Sequence, residues 1–105
     1  MERYEVKFLA DALNDLEEII LYISRDSKTA ALKMHDLFIE KATNLSIFPK
    51  RGRLVPDKKM SEIGFRMLVV EQYLVFYKID GSTIHIHRVL HGARNFPLLF
   101  REKGE

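Results

Sequence analysis

The sequence predicts a single α+β domain of two layers, in the order β-α-α-β-β-β followed by a C-terminal tail. The first half contains two amphipathic segments with helical spacing, and the second half contains three runs rich in β-branched and aromatic residues. A short alternating segment precedes them. The 105 residues, 47% of them hydrophobic, suffice for one core and not for two, so residues 1–105 are predicted to form one domain.

The first half is predicted to form a strand and then two helices. Residues 4–9 (YEVKFL) alternate between polar and apolar side chains, which is typical of a half-buried strand. Apolar residues spaced by three and four positions predict one helix from about residue 11 to 25 and another from about 28 to 47. Ser27 is a suitable N-cap for the second helix, and Pro49 stops it. The short joint predicts an αα-hairpin.

The second half is predicted to form a basic loop and an antiparallel meander. Residues 50–61 (KRGRLVPDKKMS) read as a loop, in which Gly52 is expected to serve turn geometry. The strands 63–70, 73–80 and 83–90 follow, joined by connections of two residues. We expect the helices to cover one face of the sheet, the N-terminal strand to join an edge, and the opposite face to stay open.

Composition excludes several classes of site. The absence of cysteine excludes disulfides, cysteine metal ligands and cysteine nucleophiles. No apolar run reaches 18 residues, so no membrane association is expected, and the N-terminus lacks the apolar segment of a signal peptide, which predicts a cytoplasmic protein. His85 and His87 share a strand face, but no carboxylate lies at ligand spacing, so neither a metal nor a cofactor is expected.

Charge is unevenly distributed along the chain. Residues 1–49 carry 6 basic and 9 acidic side chains, whereas residues 50–105 carry 11 and 6. Two interpretations of the basic loop stay open, namely contact with nucleic acid or a protein target, and a solvated surface. The candidate contact residues are Lys50, Arg51, Arg53, Lys58 and Lys59.

Four segments, in this order and at these distances, resemble the RelE/ParE superfamily of bacterial toxins. They are ADALNDLEEIILYI, LSIFPKRGR, GFRMLVVEQYLVFYKI and IHRVLHGARN. The chain is identified as a member of that superfamily, whose members are the toxins of type II toxin–antitoxin modules. The resemblance implies growth inhibition, a role in plasmid stabilisation, and neutralisation by a cognate antitoxin with an acidic tail.

The superfamily contains ribosome-dependent mRNA endonucleases, which are RelE-like, and inhibitors of DNA gyrase, which are ParE-like. Metal-free RNA cleavage needs cations and a general acid or base around the phosphate. RelE-like enzymes place two basic residues two apart on the first meander strand, an arginine on the second, an arginine after the third, and a tyrosine in the tail. Here these positions read Arg66 and Leu68, Leu74, Arg94, and Phe100. The departures favour the ParE-like branch, which acts by binding gyrase.

Two alternatives remain at this point. A metal-free endoribonuclease acting on ribosome-bound mRNA would use Arg66, Arg94 and His91 as its catalytic residues. A degenerate homologue would only bind its antitoxin.

The face opposite the helices is the expected antitoxin surface. Leu68, Leu74 and Phe76 would line it if it is apolar; alternatively they face the helices as part of the core. Arg88 interrupts an apolar strand and is expected to pair with Glu71 or with an antitoxin carboxylate, or to be a surface cation.

Overall fold

Two long helices lie on one face of a five-stranded sheet. The computed structural model describes residues 3–92. Its elements in chain order are β1 (Glu5–Phe8), α1 (Ala10–Ser24), α2 (Lys28–Asn44), β2 (Arg53–Leu54), α3 (Lys58–Glu62), β3 (Arg66–Val70), β4 (Tyr73–Asp80) and β5 (Thr83–His91). The sheet order is β1-β5-β4-β3-β2; β1 runs parallel to β5, and the other pairs are antiparallel. The predicted α+β class and the edge position of the N-terminal strand are confirmed.

The helical hairpin follows the predicted pattern with one difference at its end. The Ser27 hydroxyl caps α2 by accepting a hydrogen bond of 3.1 Å from the backbone N–H of Ala30. The helix ends at Asn44 because the next three residues form a tighter turn, in which backbone N–H groups donate to carbonyls three positions earlier. The second helix is therefore three residues shorter than the prediction, which ended at Ile47.

The main core lies between the hairpin and the sheet. The hairpin contributes small and large side chains that let it approach the strands closely, and the Phe38 ring of α2 packs at 5.6 Å from the Tyr73 ring of β4. Alternate residues of β3, β4 and β5 complete this layer. The buried members of the core are Ala12, Leu16, Phe38, Ala42, Leu45, Leu68, Val70, Tyr73, Val75, Tyr77, Ile84, Ile86 and Val89.

The predicted loop at residues 50–61 contains two short elements that the sequence analysis missed. α3 is capped by Asp57, whose carboxylate accepts a hydrogen bond of 3.0 Å from the N–H of Met60. Met60 packs into a second apolar cluster on the sheet face opposite the hairpin, together with Phe76. That face is therefore covered in part, and the expectation of a fully open face is wrong.

No helix among residues 3–92 is both long enough and apolar enough to cross a bilayer.

Candidate functional site

All five cations of the predicted basic loop face solvent, and four of them form two pairs. Lys58 and Lys59 begin α3, whereas Arg51 and Arg53 lie beside the outer edge of the sheet. Lys41 of α2 lines the same hollow as this second pair. We call Lys41, Arg51 and Arg53 the basic rim. The fifth cation, Lys50, lies in the turn before the rim and is also exposed.

A buried tyrosine fixes the segment that carries the rim. The Tyr77 hydroxyl donates a hydrogen bond of 2.7 Å to the Pro49 carbonyl and accepts one of 2.9 Å from the Gly52 N–H. The Arg66 guanidinium donates from Nη1 to the Gly52 carbonyl over 2.8 Å. Burial raises the pKa of the Tyr77 hydroxyl, although the bond from Gly52 and the charge of Arg66 oppose this shift. The hydroxyl therefore stays protonated and keeps donating.

Glycine is required at position 52 because the backbone there lies close to β3 and β4, and not because the turn has an unusual conformation. A Cβ at this position would lie 2.7 Å from the Met67 carbonyl oxygen and 2.8 Å from the Tyr77 ring. Its backbone φ is not among the positive values that favour glycine. Any larger residue would push the segment away from β3 and β4, so the expectation that Gly52 serves turn geometry is corrected.

The residues that a nuclease would need are held apart. Arg66 starts β3 opposite Tyr77, and His91 ends β5 opposite Tyr73. These partners are four positions apart on β4, which is about 13 Å along a strand. The rings of His91 and Tyr73 form a T-shaped pair with their centres 5.6 Å apart, whereas Arg66 donates a hydrogen bond to the Gly52 carbonyl. Arg94 and Phe100 lie outside the described residues.

The predicted antitoxin surface is largely buried within this chain. Leu68 is 8% exposed and packs in the main core beneath the hairpin, because its strand position faces the helices. Phe76 is fully buried in the second cluster, against which half-buried Leu74 also packs. Leu68 therefore fits the alternative that the sequence left open, a core residue facing the helices. Phe76 does lie on the face opposite the hairpin, but the second cluster buries it there, so its expected place on an exposed surface is corrected.

Arg88 pairs within the chain. Its Nε and Nη2 donate to the two carboxylate oxygens of Asp15 in α1, over 2.7 and 2.9 Å, and the Val89 N–H also donates to Asp15. These hydrogen bonds raise the pKa of Arg88. The register of β4 and β5 shifts between Phe76 and Tyr77, which leaves one extra residue in β5 next to Arg88. The expected pairing with Glu71 is therefore wrong.

The two strand histidines are held by neighbours on the sheet face away from the hairpin. Nδ1 of His85 lies 2.7 Å from Oδ2 of Asp80, and this hydrogen bond is the main cause that lowers the pKa of Asp80. His87 packs edge-on against the Phe65 ring at 4.8 Å. Burial, followed by the charge of Lys78, lowers the pKa of His87. Within residues 3–92 no three His, Asp or Glu side chains are arranged to hold a metal ion.

Comparison with known proteins identifies the family. Residues 6–96 match the model of the family described as the ParE toxin of the type II toxin–antitoxin system, parDE. The chain belongs to the ParE toxin family. This confirms the superfamily that the four sequence segments indicated. No curated protein matches the sequence significantly.

Solved structures of toxin–antitoxin systems share the ParE-family fold seen here. One is the chromosomal ParDE system from P. aeruginosa, with a TM-score of 0.70 and 22% identity over 85% of this chain and 96% of that one. Another is the RelBE2 toxin–antitoxin complex from Mycobacterium tuberculosis, with a TM-score of 0.61 and 26% identity over 90% and 97% of the two chains.

Three site residues of this ParE-family chain escaped the sequence analysis. Lys41 joins the basic rim from α2, ten residues before Arg51, and no local pattern links the two. In the sequence, Tyr77 is one of several aromatic residues in its strand, and Asp15 is one of several acidic residues in its helix. A tyrosine in the middle of an apolar strand weakly indicates a structural hydrogen bond, since a buried hydroxyl needs a partner.

Proposed function

We propose that this toxin arrests growth by binding DNA gyrase, without cleaving nucleic acid itself, and that a cognate antitoxin neutralises it. The observation that carries the proposal is the separation of Arg66 from His91. Each of these side chains has a structural contact, one with the basic segment and the other with Tyr73. Leu74 stands where RelE-like nucleases have an arginine, and it packs against the second apolar cluster.

The energy that each phosphate contact contributes to catalysis supports the proposal that the toxin does not cleave nucleic acid. A nuclease stabilises the charge that develops on the phosphate with preorganised donors, and loss of one donor costs about 2.7–4 kcal/mol. Leu68 and Leu74 replace two such donors with side chains that have no charge or hydrogen-bonding group. Leu68 is also buried beneath the helices, so even a cation at that position would not reach a substrate on the opposite face.

The exposed cations support contact with a charged target. Gyrase works on DNA, and phosphates attract Lys and Arg side chains whatever the base sequence. Lys50, Lys58 and Lys59 face solvent, as do Arg51 and Arg53 of the basic rim, so the segment between α2 and β3 carries five exposed cations. The antitoxin is proposed because the related solved structures are toxin–antitoxin systems.

The test combines one assay on purified protein with one on growing cells. Purified toxin is titrated into a supercoiling reaction with DNA gyrase, and the products are examined for cleaved DNA. We expect supercoiling to stop and cleaved DNA to accumulate, and we expect both effects to disappear when antitoxin is added first. In cells, induction of the toxin should cause a DNA damage response while mRNA stays intact.

Two other outcomes would replace the proposal. Normal supercoiling at excess toxin, together with mRNA cuts at the ribosomal A site in primer extension, would indicate an mRNA endonuclease. Normal growth after induction without antitoxin would indicate a homologue that only binds antitoxin. An unrelated protein induced at the same level serves as the control for expression stress.

A further inference from the structure

An aromatic ring faces solvent in the turn between α2 and β2. The Phe48 side chain is 49% exposed, although the backbone of its turn is hydrogen-bonded. The Phe48 N–H donates to the Asn44 carbonyl over 3.0 Å, and the Phe48 carbonyl accepts a hydrogen bond of 3.1 Å from the Arg51 N–H. Because both of its backbone groups are bonded, the backbone holds this ring at the surface.

Beside this ring lies an apolar hollow with positive side chains. Its volume is about 480 Å³, and it is lined by Ile47, Phe48, Pro49, Lys50 and Arg51, with no acidic side chain among them. This volume is within the range of roughly 300–1,000 Å³ that is usual for pockets of small ligands. The hollow therefore combines an aromatic ring with two cations.

Arg51 joins this hollow to the basic rim. Its guanidinium carbon lies 5.0 Å from the centre of the Phe48 ring, whose negative face attracts a cation. Arg51 also lines the hollow of about 380 Å³ that contains Lys41 and Arg53. An aromatic ring and four cations therefore follow one another along one stretch of surface. We call Phe48 and Arg51 the stacking pair.

Tyr77 fixes this stretch of surface before any ligand binds. Its hydroxyl bonds the Pro49 carbonyl and the Gly52 N–H, which lie on the two sides of Lys50 and Arg51 in the chain. Binding to a backbone that is already fixed costs less conformational entropy than binding to a loose loop. The stacking pair is therefore preorganised for a ligand.

We propose that the stacking pair binds an unpaired base of single-stranded DNA, and that the phosphates of the same strand contact Lys50 and the basic rim. Proteins that hold single strands stack bases on aromatic rings and guanidinium planes and place cations along the backbone. A base within a duplex has a neighbour on each face, so only a base that has left the stack can meet the ring. The choice of DNA rests on the proposed function, whereas the stack rests on the contacts of Phe48 and Arg51.

A partner protein fits these contacts less well. The carboxylates of an acidic segment would meet the cations but would leave the ring without a flat partner, and an apolar segment would leave the cations unpaired. A nucleotide supplies a flat ring and a negative charge within one unit, and this surface presents a counterpart to each, side by side.

The first test measures binding of a single strand to the full-length chain. A labelled strand of about ten thymidines is titrated in a fluorescence anisotropy assay. We expect saturable binding that is about threefold or more tighter than binding of a duplex of the same length. A strand with one 5-bromouracil base should crosslink under ultraviolet light to the peptide that contains Phe48. Absence of saturable binding, or crosslinks only to other peptides, would overturn the proposal.

Replacement of the ring separates stacking from charge. Phe48→Leu keeps an apolar side chain and every cation, and should bind the thymidine strand about fivefold more weakly or worse. A strand of abasic sugars keeps every phosphate, so it should bind Phe48→Leu and the unaltered chain equally. Equal binding of the thymidine strand to these two proteins would mean that only phosphates are contacted, and would contradict the proposal.

Tyr22→Leu is the matched control for loss of an exposed ring. Tyr22 is 69% exposed and lines a hollow together with Asp15 and Glu18, so its ring stands beside acidic side chains. This variant should bind the strand like the unaltered chain, and a loss equal to that of Phe48→Leu would argue against a specific stack. Should Phe48→Leu fail to fold by circular dichroism, Phe48→Trp replaces it and should bind more tightly, because its ring is larger.

Gyrase is absent from these measurements, so their failure is distinguishable from failure of the proposed function. The choice of DNA is tested in the supercoiling reaction that the unaltered toxin inhibits. There, Phe48→Leu should require about fivefold more protein to stop supercoiling. Unchanged inhibition would overturn the assignment to DNA, as would a uridine strand of the same length that binds about tenfold more tightly than the thymidine strand.

Discussion

Tyr77 shows how one buried hydroxyl can organise a surface segment. It is fully buried, and it links the Pro49 carbonyl and the Gly52 N–H to the middle of the sheet. Both backbone groups would otherwise need partners elsewhere, because the segment between α2 and β3 has only two residues in a strand. The Tyr77 side chain therefore holds residues 49–52, next to the basic rim, in a fixed position against the sheet.

Replacement of Tyr77 by phenylalanine tests this role. Tyr77→Phe keeps the ring but removes the bonds to Pro49 and Gly52, so the free energy of unfolding should fall by about 1–3 kcal/mol. Urea denaturation measures the loss, and amide exchange at Gly52 should become faster. Tyr22→Phe, at a tyrosine that is mostly exposed, is the matched control and should change stability little. Equal effects of the two variants would contradict the anchoring role.

His87 gives the stability a dependence on pH. Burial lowers its pKa in the folded state, so the unfolded chain binds more protons between the folded pKa and the ordinary value near 6.5. The contribution of His87 is therefore complete above about pH 6.5 and declines as the pH falls towards the folded pKa.

This dependence is measured by urea denaturation at pH 7.5 and 5.5. The unaltered chain should lose more stability on acidification than His87→Gln, which has no titrating ring at this position. His35→Gln, at an exposed histidine of α2, should behave like the unaltered chain. If His87→Gln loses as much stability on acidification as the unaltered chain, the role assigned to this ring is wrong.

At the scale of elements, the sequence predicted those with a strong period. The hairpin helices bury one face each, and the strands β3, β4 and β5 divide their buried side chains between the two sheet faces. That burial imposes the spacing and the apolar runs that are visible in the sequence. β2 and α3 have two and five residues, too few for a period to appear. Their absence from the prediction left the face opposite the hairpin looking open.

Strand register explains why Leu68 and Arg88 were misplaced. The face of Leu68 depends on register, and a shift of one residue exchanges the two faces of a strand. Phe76 lies on the expected face and is buried by the second cluster, to which α3 contributes Met60. The two-residue turn joining β3 to β4 does not fix that register in the sequence alone. The irregularity opposite Arg88 is also invisible there, so its bond to Asp15 was not predicted.

The turn between β3 and β4 carries backbone strain that a substitution can relieve. Glu71 has a φ of 56°, the one positive value among the non-glycine residues described. Glycine adopts this conformation without steric cost, so Glu71→Gly should raise stability by about 1 kcal/mol. Gln72→Gly is the control at the neighbouring position and should lower it. Urea denaturation that shows both variants equally destabilised would contradict the assignment.

At the scale of the whole molecule, long-range contacts join the hairpin to the last strand. Asp15 and Arg88 are 73 residues apart and form two hydrogen bonds with side chains that are each 13% exposed. The Val89 N–H bonds the same carboxylate. This cluster fixes α1 across β5 and explains why a charged residue stands within an apolar strand.

Replacement of Asp15 by a neutral residue measures how much this cluster contributes to the free energy of unfolding. Asp15→Asn leaves the Arg88 guanidinium with no carboxylate, which should cost about 3 kcal/mol, the lower end for a broken buried pair. Thermal and urea denaturation report the loss. Glu17→Gln, at an exposed position of the same helix, should cost little. A loss no larger than in that control would show that the pair contributes nothing to the attachment of α1.

The parallel pairing of β1 with β5 has a consequence for synthesis of the chain. Glu5 pairs with Thr83, so β1 cannot pair with β5 until nearly all of the described chain has been synthesised. At the elongation rates of ribosomes this delay is roughly 4–15 s. A nascent chain that ends before β5 cannot complete the sheet and cannot form the hydrogen bonds from Arg88 and Val89 to Asp15 that attach α1. A truncated translation product therefore has no route to the active form.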